Sequence, residues 1–340
     1  MNKRTNKKKN VTVNDIAKTV GMSASTVSRA LANHPKISKK SKEIIWKAAK
    51  KMGYLSNIPA YLQNIQTGII IILIDDSQIY AARQFIQSAQ QYMQDDKYQM
   101  LIKYINTNDN IDTVFNALSK LDIAGMISLL NNQDNYKQLI VFTKEYNIPL
   151  VVMHHTNIDN AYTYIIPDYH NGMSMMLNHL TKRAAKDIVL INLENSILAD
   201  NLEKAFIEVL RQTNKFDSKQ IVYTDNTYKM LKFNIEQALE ENPKIDAFIT
   251  SNYQIALQLH YLLRAKNYNI PDDFLICNFG NEDAGEFSLP KITNLHYSYT
   301  EMGKTAVKSI MDAINQKNTQ NKLIVEQVKL IIKSSTMRMS

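Results

Sequence analysis

From Gly68 onward, short runs of aliphatic and β-branched residues alternate with longer amphipathic stretches. The strand-like runs are Gly68–Asp75, Tyr98–Ile105, Ile123–Leu130, Leu150–Met153, Asp187–Leu193, Gln220–Thr224, Ala247–Ser251 and Phe274–Asn278. Between them, Ala81–Gln94, Tyr136–Tyr146, Leu198–Gln212 and Tyr228–Glu241 repeat apolar residues at helical spacing. Adjacent parallel strands need a crossover long enough to hold a helix, so this alternation predicts parallel sheets with helices on both faces. Roughly 270 residues of it exceed one such layer and predict two doubly wound α/β subdomains.

The residues before Gly68 differ in kind. The 340-residue chain has a net charge of +8. Residues 1–66 alone carry +12, with Asp15 and Glu43 their only acids, and the rest carries −4. A basic head on a mildly acidic body predicts a nucleic-acid partner, because neutralising phosphates supplies most non-specific affinity. The block Lys3, Arg4, Lys7, Lys8 and Lys9 reads as a disordered arm over residues 1–10. One cysteine, Cys277, excludes a disulfide framework and reads as core. The eight glycines form neither a dinucleotide-binding fingerprint nor a P-loop. No apolar run approaches a membrane span, and no secretory signal opens the chain. The expectation is a cytoplasmic protein with no cofactor, no metal and no membrane partner.

Within the head, Val13, Ile16, Ala17 and Val20 fall at helical spacing, and Gly21 stops the run. Ser23 reads as the N-cap of a second helix with Val27, Ala30 and Leu31 inward, broken by His34-Pro35. Ser38 opens a third helix that places Ile44, Ile45, Ala48, Ala49 and Met52 on one face, and Gly53 ends it. Two short helices joined by a glycine turn form a helix-turn-helix. The second helix would expose Ala24, Ser25, Ser28 and Arg29 to the major groove, where Arg bonds guanine bidentately.

The segment Val11–Tyr54, with T-x-x-D-I-A, S-x-x-T-V-S-R and a closing G-Y, resembles without gaps the headpiece of the LacI/GalR family of bacterial transcription regulators. The resemblance implies a headpiece over residues 11–56, a hinge over 57–67 and an effector-binding core over 68–340. It places Ala24, Ser25 and Arg29 against bases, and Thr12, Asn14, Ser23, Thr26, Ser28 and Tyr54 on the phosphate backbone. Thr26 reads equally as helix packing. The implied partners are a near-palindromic operator, a second copy of the chain and a small-molecule effector.

The hinge departs from the family pattern P-N-x-x-A-R-x-L. Asn57 and Ala60 match, whereas Ser56 replaces the proline, Tyr61 the arginine, and Gln63 the leucine that wedges a minor-groove step. Leu62 stands one residue early, about 100° around a helix. Two readings stay open: Leu62 still inserts after a register shift, or the hinge wedges differently or not at all.

The core resembles, more weakly, a periplasmic sugar-binding protein. By that likeness one subdomain spans about 68–165, the other about 166–290, and C-terminal segments cross back. Ligands of open α/β sheets sit beyond the carboxyl ends of strands. That places Asp75, Asp76, Ser77, His154, Asn192, Asn252, Tyr253, Gly280 and Asn281 at the effector cleft. Charged family positions hold other residues here: His154, Tyr253 and Gly280 replace aspartates, and Leu202 stands at an arginine position if Ala205-Phe206 is the aligned pair. Hydroxyl-rich ligands need charge-assisted partners. The effector is therefore less hydroxyl-rich, or the cleft no longer binds a small molecule. Asn192, Asn252 and Asn278 each read alternatively as caps, and Asp168 as an N-cap. His154 and His155 adjoin on a strand end and point to opposite faces, which argues against a metal.

No nucleophile–base constellation stands out. The reading is a homodimeric repressor of a metabolic operon. Its rivals are an activator or a constitutive binder with a degenerate cleft, and an α/β enzyme with a DNA-binding head.

Overall fold

The structure, a computed structural model, describes residues 11–31, 37–52, 68–75, 79–95, 97–106, 108–156, 159, 161–280, 288–315 and 322–338. It divides into two compact units at Thr67/Gly68. The arm, the hinge, the break at His34-Pro35, Gly53, Tyr54, Asn57, Leu62, Asp76, Ser77 and Asn281 lie outside the described residues.

The first unit is three helices: α1 (Val13–Val20), α2 (Ala24–Leu31) and α3 (Lys39–Lys51). Thr12 and Asp15 form a reciprocal capping box at the start of α1: Asp15 N–H donates to the Thr12 hydroxyl, and Thr12 N–H donates to the Asp15 carboxylate at 2.8 Å. Gly21 ends α1 at φ 68°, a left-handed turn that a Cβ would strain. Ser23 Oγ accepts from Thr26 N–H at 3.1 Å, and Ser38 Oγ from Ser41 N–H at 3.1 Å, so both serines cap the helices they precede. Ile16, Ala17, Val27, Ala30, Ile45 and Ala49 form the core. Ile44 departs from the expected inner face: it is 44 % exposed, because the stripe through Ile45 and Ala49 already meets α1 and α2.

The second unit holds two six-stranded sheets. Its elements run β1 (Gly68–Asp75), α4 (Ile79–Tyr92), β2 (Tyr98–Ile105), α5 (Ile111–Leu118), β3 (Ile123–Leu129), α6 (Gln133–Tyr146), β4 (Leu150–Met153), β5 (Thr163–Pro167), α7 (Tyr169–Lys182), β6 (Ile188–Leu193), α8 (Ile197–Gln212), β7 (Ile221–Thr224), α9 (Tyr228–Glu241), β8 (Ala247–Thr250), α10 (Tyr253–Ala265), β9 (Leu275–Phe279), β10 (Thr293–Tyr297), α11 (Tyr299–Ile314), β11 (Leu323–Glu326) and β12 (Val328–Ile331). Sheet one has the order β11-β5-β4-β3-β1-β2 and is wholly parallel. Sheet two has the order β12-β10-β9-β8-β6-β7, with only β12 antiparallel.

The chain passes between the sheets three times: after β5, after β10, and between β11 and β12. Strands buried on both faces read as continuous aliphatic runs, as in Ile69–Ile74. One apolar cluster joins both sheets through α4, α7, α8 and α11. Separate clusters lie under α5 and α6 of sheet one and under α9 and α10 of sheet two. Helix α11 packs so closely on α4 that a Cβ at Gly303 would stand 2.6 Å from the Phe85 carbonyl oxygen.

Candidate functional site

The headpiece presents one polar face. Val27 and Ala30 of α2 point into the core, which turns Ser25, Ser28 and Arg29 outward, all exposed. Ser23 Oγ lies 2.9 Å from Ser25 Oγ and 2.8 Å from Thr26 Oγ1, a hydroxyl cluster at the positive end of α2. Asn14 and Thr12 are exposed beside the start of α1. Ala24 is half-buried and packs on the headpiece core. Helix N-termini and hydroxyls suit phosphate oxygens, and an exposed Arg on the same face suits a base edge.

In sheet two, Asn192 lies near the end of β6 and Ser251 directly follows β8. The pairing of Ile191 with Thr250 sets them at one level on neighbouring strands. Both are buried. The Asn192 amide donates to Ala199 O at 3.2 Å and to Glu203 Oε2 at 3.0 Å, while its Oδ1 and the Ser251 hydroxyl have no hydrogen-bond partner among the described residues. On β9, Asn278 Oδ1 accepts from Thr250 Oγ1 at 3.0 Å, and its Nδ2 has no partner among the described residues. Buried polar atoms are ordinarily paired, so an open set at strand ends is the mark of a site that receives something. Asn252 caps α10, accepting from Ile255 N–H at 2.8 Å, and Tyr253 is buried as the first residue of that helix. Gly280 N–H donates to Leu295 O at 3.2 Å, which ties it to β10.

The ends of sheet one are different. The buried Asp75 carboxylate accepts from the backbone N–H groups of Asn131 and Asn132, so it shapes the turn after β3. His154 and His155 do face opposite ways. His154 Nδ1 lies 3.1 Å from Tyr169 OH and Nε2 3.4 Å from Tyr299 OH, with Tyr297 against the ring edge. His155 stacks on Tyr136 at 3.7 Å between centroids, and neither of its ring nitrogens has a partner among the described residues. Burial pushes both imidazoles down to about 4, helped at His155 by the Lys204 charge. Among the described residues, no three His, Cys, Asp or Glu side chains gather as a metal site.

Asp168 caps α7 by accepting from Asn171 N–H at 3.0 Å. Cys277 is buried, and its thiol is pushed well above the usual range. Leu202, at the position aligned with an arginine, is fully buried in the cluster shared by both sheets. Sequence reasoning missed Asn131, Ser196 and Asn201, which join the two halves. Asn131 Nδ2 donates to Ser196 Oγ at 2.9 Å, and Thr156 Oγ1 donates to Asn201 Oδ1 at 2.6 Å. A Ser placed just before a helix is a legible cap, but no local signal says that the cap reaches another subdomain.

Known proteins match along the same division. Residues 12–57 match the bacterial regulatory proteins of the lacI family, and residues 177–336 match a periplasmic binding protein-like domain. The probable HTH-type transcriptional repressor ExuR of Bacillus subtilis (strain 168) is 24 % identical over 97 % of this chain and 99 % of its own length. Catabolite control protein A of Priestia megaterium is 22 % identical over 96 % of this chain and 99 % of its own. Among solved structures, the lac repressor dimer bound to operator and the anti-inducer ONPF superposes with a TM-score of 0.70 at 18 % identity, covering 97 % of this chain and all of the other. The transcriptional regulator CelR in complex with cellobiose also gives 0.70 at 18 % identity, covering 96 % and 99 %. A helix-turn-helix headpiece joined to a two-sheet α/β core defines a DNA-binding transcription regulator, not an enzyme. Residues 12–57 thus carry the DNA-binding domain of the lacI family, and the relatives that match along nearly the whole chain are regulators of that kind.

Proposed function

We propose that the protein is a cytoplasmic, homodimeric repressor of a metabolic operon that binds a near-palindromic operator. Arg29, Ser25 and Ala24 read bases; Thr12, Asn14, Ser23, Thr26, Ser28 and Tyr54 hold the phosphate backbone; Asn57 and Leu62 belong to the hinge. The observation that carries this reading is the exposed Ser25–Ser28–Arg29 face of α2 beside a hydroxyl cluster at its N-terminus. Exposed apolar residues on α9 and α10, among them Phe233 at 63 % and Tyr261 at 64 %, support a second copy as partner. A two-fold symmetric operator would then follow from a two-fold symmetric protein.

A small polar molecule in the core modulates affinity. The atoms of Asn192, Ser251 and Asn278 that have no partner among the described residues support a neutral hydrogen-bonding ligand, sugar-like or related, at the ends of sheet two. Asp75, Asp76, Ser77, His154, Asn252, Tyr253, Gly280 and Asn281 complete the proposed surroundings.

Selection from random DNA by the full-length protein tests the first part. A two-fold symmetric site is expected, and failure to enrich any site with or without candidate ligands would overturn it. Arg29→Ala should cost about 1–3 kcal/mol on the selected site and far less on random DNA; equal loss on both would remove its base-reading role. Calorimetry across sugars and nucleosides tests the second part, with heat lost in Asn192→Ala or Ser251→Ala.

A further inference from the structure

Helix α8 packs on sheet two, yet its first two turns are bonded to strand ends of sheet one. The leading N–H groups of a helix have no partner inside it. Here Ile197 N–H donates to Asn131 O at 2.8 Å, and Leu198 N–H donates to Asn131 Oδ1 at 2.9 Å. Ser196 Oγ accepts from Ala199 N–H at 3.1 Å and from Asn131 Nδ2 at 2.9 Å. Asn131 is itself fixed by the Asp75 carboxylate.

One turn further along α8, Gln133 Nε2 donates to Asp200 Oδ2 at 2.8 Å, and Asn201 Nδ2 donates to the His154 carbonyl oxygen. The Ile197 side chain leaves the sheet-two clusters altogether and packs with Leu130, Tyr136 and Tyr164 of sheet one. Asn131, Ser196, Ile197 and Asn201 are all buried.

We infer that the first two turns of α8 are a built-in clasp. They hold the two halves of the core shut by protein–protein bonds alone, at the ends of β3 and β4 where an open α/β sheet receives its ligand. The Asn131 amide and the Thr156 hydroxyl at the ends of sheet one are taken up by α8 and its cap, whereas, among the described residues, Asn192, Ser251 and Asn278 on sheet two keep open atoms. A small molecule entering beside α8 therefore competes with the clasp and favours opening. Closure does not depend on it.

Residue-resolved hydrogen exchange on the full-length protein, with neither DNA nor small molecule added, tests this separately from the regulator reading. In a closed clasp the Ile197 and Leu198 amides exchange on the order of 100-fold slower than in an unstructured peptide. Asn131→Ala removes the side-chain acceptor of Leu198 N–H, so it should erase about tenfold or more of the Leu198 protection and leave mid-helix Leu210 unchanged. Unprotected amides in the unaltered protein, or protection untouched by Asn131→Ala, would overturn the proposal. Should Asn131→Ala fail to fold, Thr156→Val removes one clasp bond at nearly constant shape. It should speed exchange at Ile197 and Leu198 by about threefold, and no change there counts equally against the clasp.

Discussion

At His154 and His155 two neighbouring imidazoles are buried on opposite faces of one strand end, and each prefers the neutral form. The unfolded chain takes up protons near pH 6.5, while the folded chain resists until about 4. Between those values the unfolded state binds more protons, so stability is full above pH 6.5 and falls as pH drops toward 4. Each histidine contributes a slope of up to about 1.4 kcal/mol per pH unit in that window. Urea midpoints measured from pH 7 to pH 4.5 should fall accordingly. His155→Phe, which keeps the stack on Tyr136, should make the slope shallower, by up to about 1.4 kcal/mol per pH unit; an unchanged slope would mean that His155 ionises freely in the folded state. The opposite orientation of the two rings was legible from strand alternation, and so were the caps at Ser23, Asp168 and Asn252. The role of Asn131 was not, because it depends on a helix 65 residues away arriving at its side chain.

Among the elements, those with strong periodicity formed where their sequence said they would. β1, β2, β4 and α9 span the expected residues, and α4, α6 and α8 begin one to three residues early, where Asn132 and Ser196 supply caps for the last two. Strands β11 and β12 gave little signal: each is four residues long and only partly buried, so hydropathy could not separate them from loop. Helix α11 is placed by close approach as much as by its apolar stripe. Gly303→Ala would press a methyl group against the Phe85 carbonyl oxygen and should lower stability by about 1–3 kcal/mol, read as a lower urea midpoint. At the other end of the chain, Thr12→Ala opens the capping box of α1 and should cost about 1 kcal/mol locally, seen as faster amide exchange in α1.

For the whole molecule, charge and fold divide at the same place: the net positive charge lies before Gly68, and the mildly acidic remainder carries the sheets. DNA affinity should therefore fall steeply with salt, with a log–log slope of at least about −4 if four or more phosphates are neutralised. Residues 68–340 alone should bind no DNA in the same assay, and binding by that fragment would move the interface into the core. The two sheets, by contrast, cannot be assigned to separate stretches of chain. Sheet one gains its edge strand from Leu323–Glu326 and sheet two from Val328–Ile331. On the ribosome, both halves thus wait for the same short stretch, residues 323–331. A nascent chain stalled near residue 320 leaves the outer edges of β5 and β10 unpaired together, two open edges on one polypeptide, at the stage when aggregation and chaperone capture compete with completion.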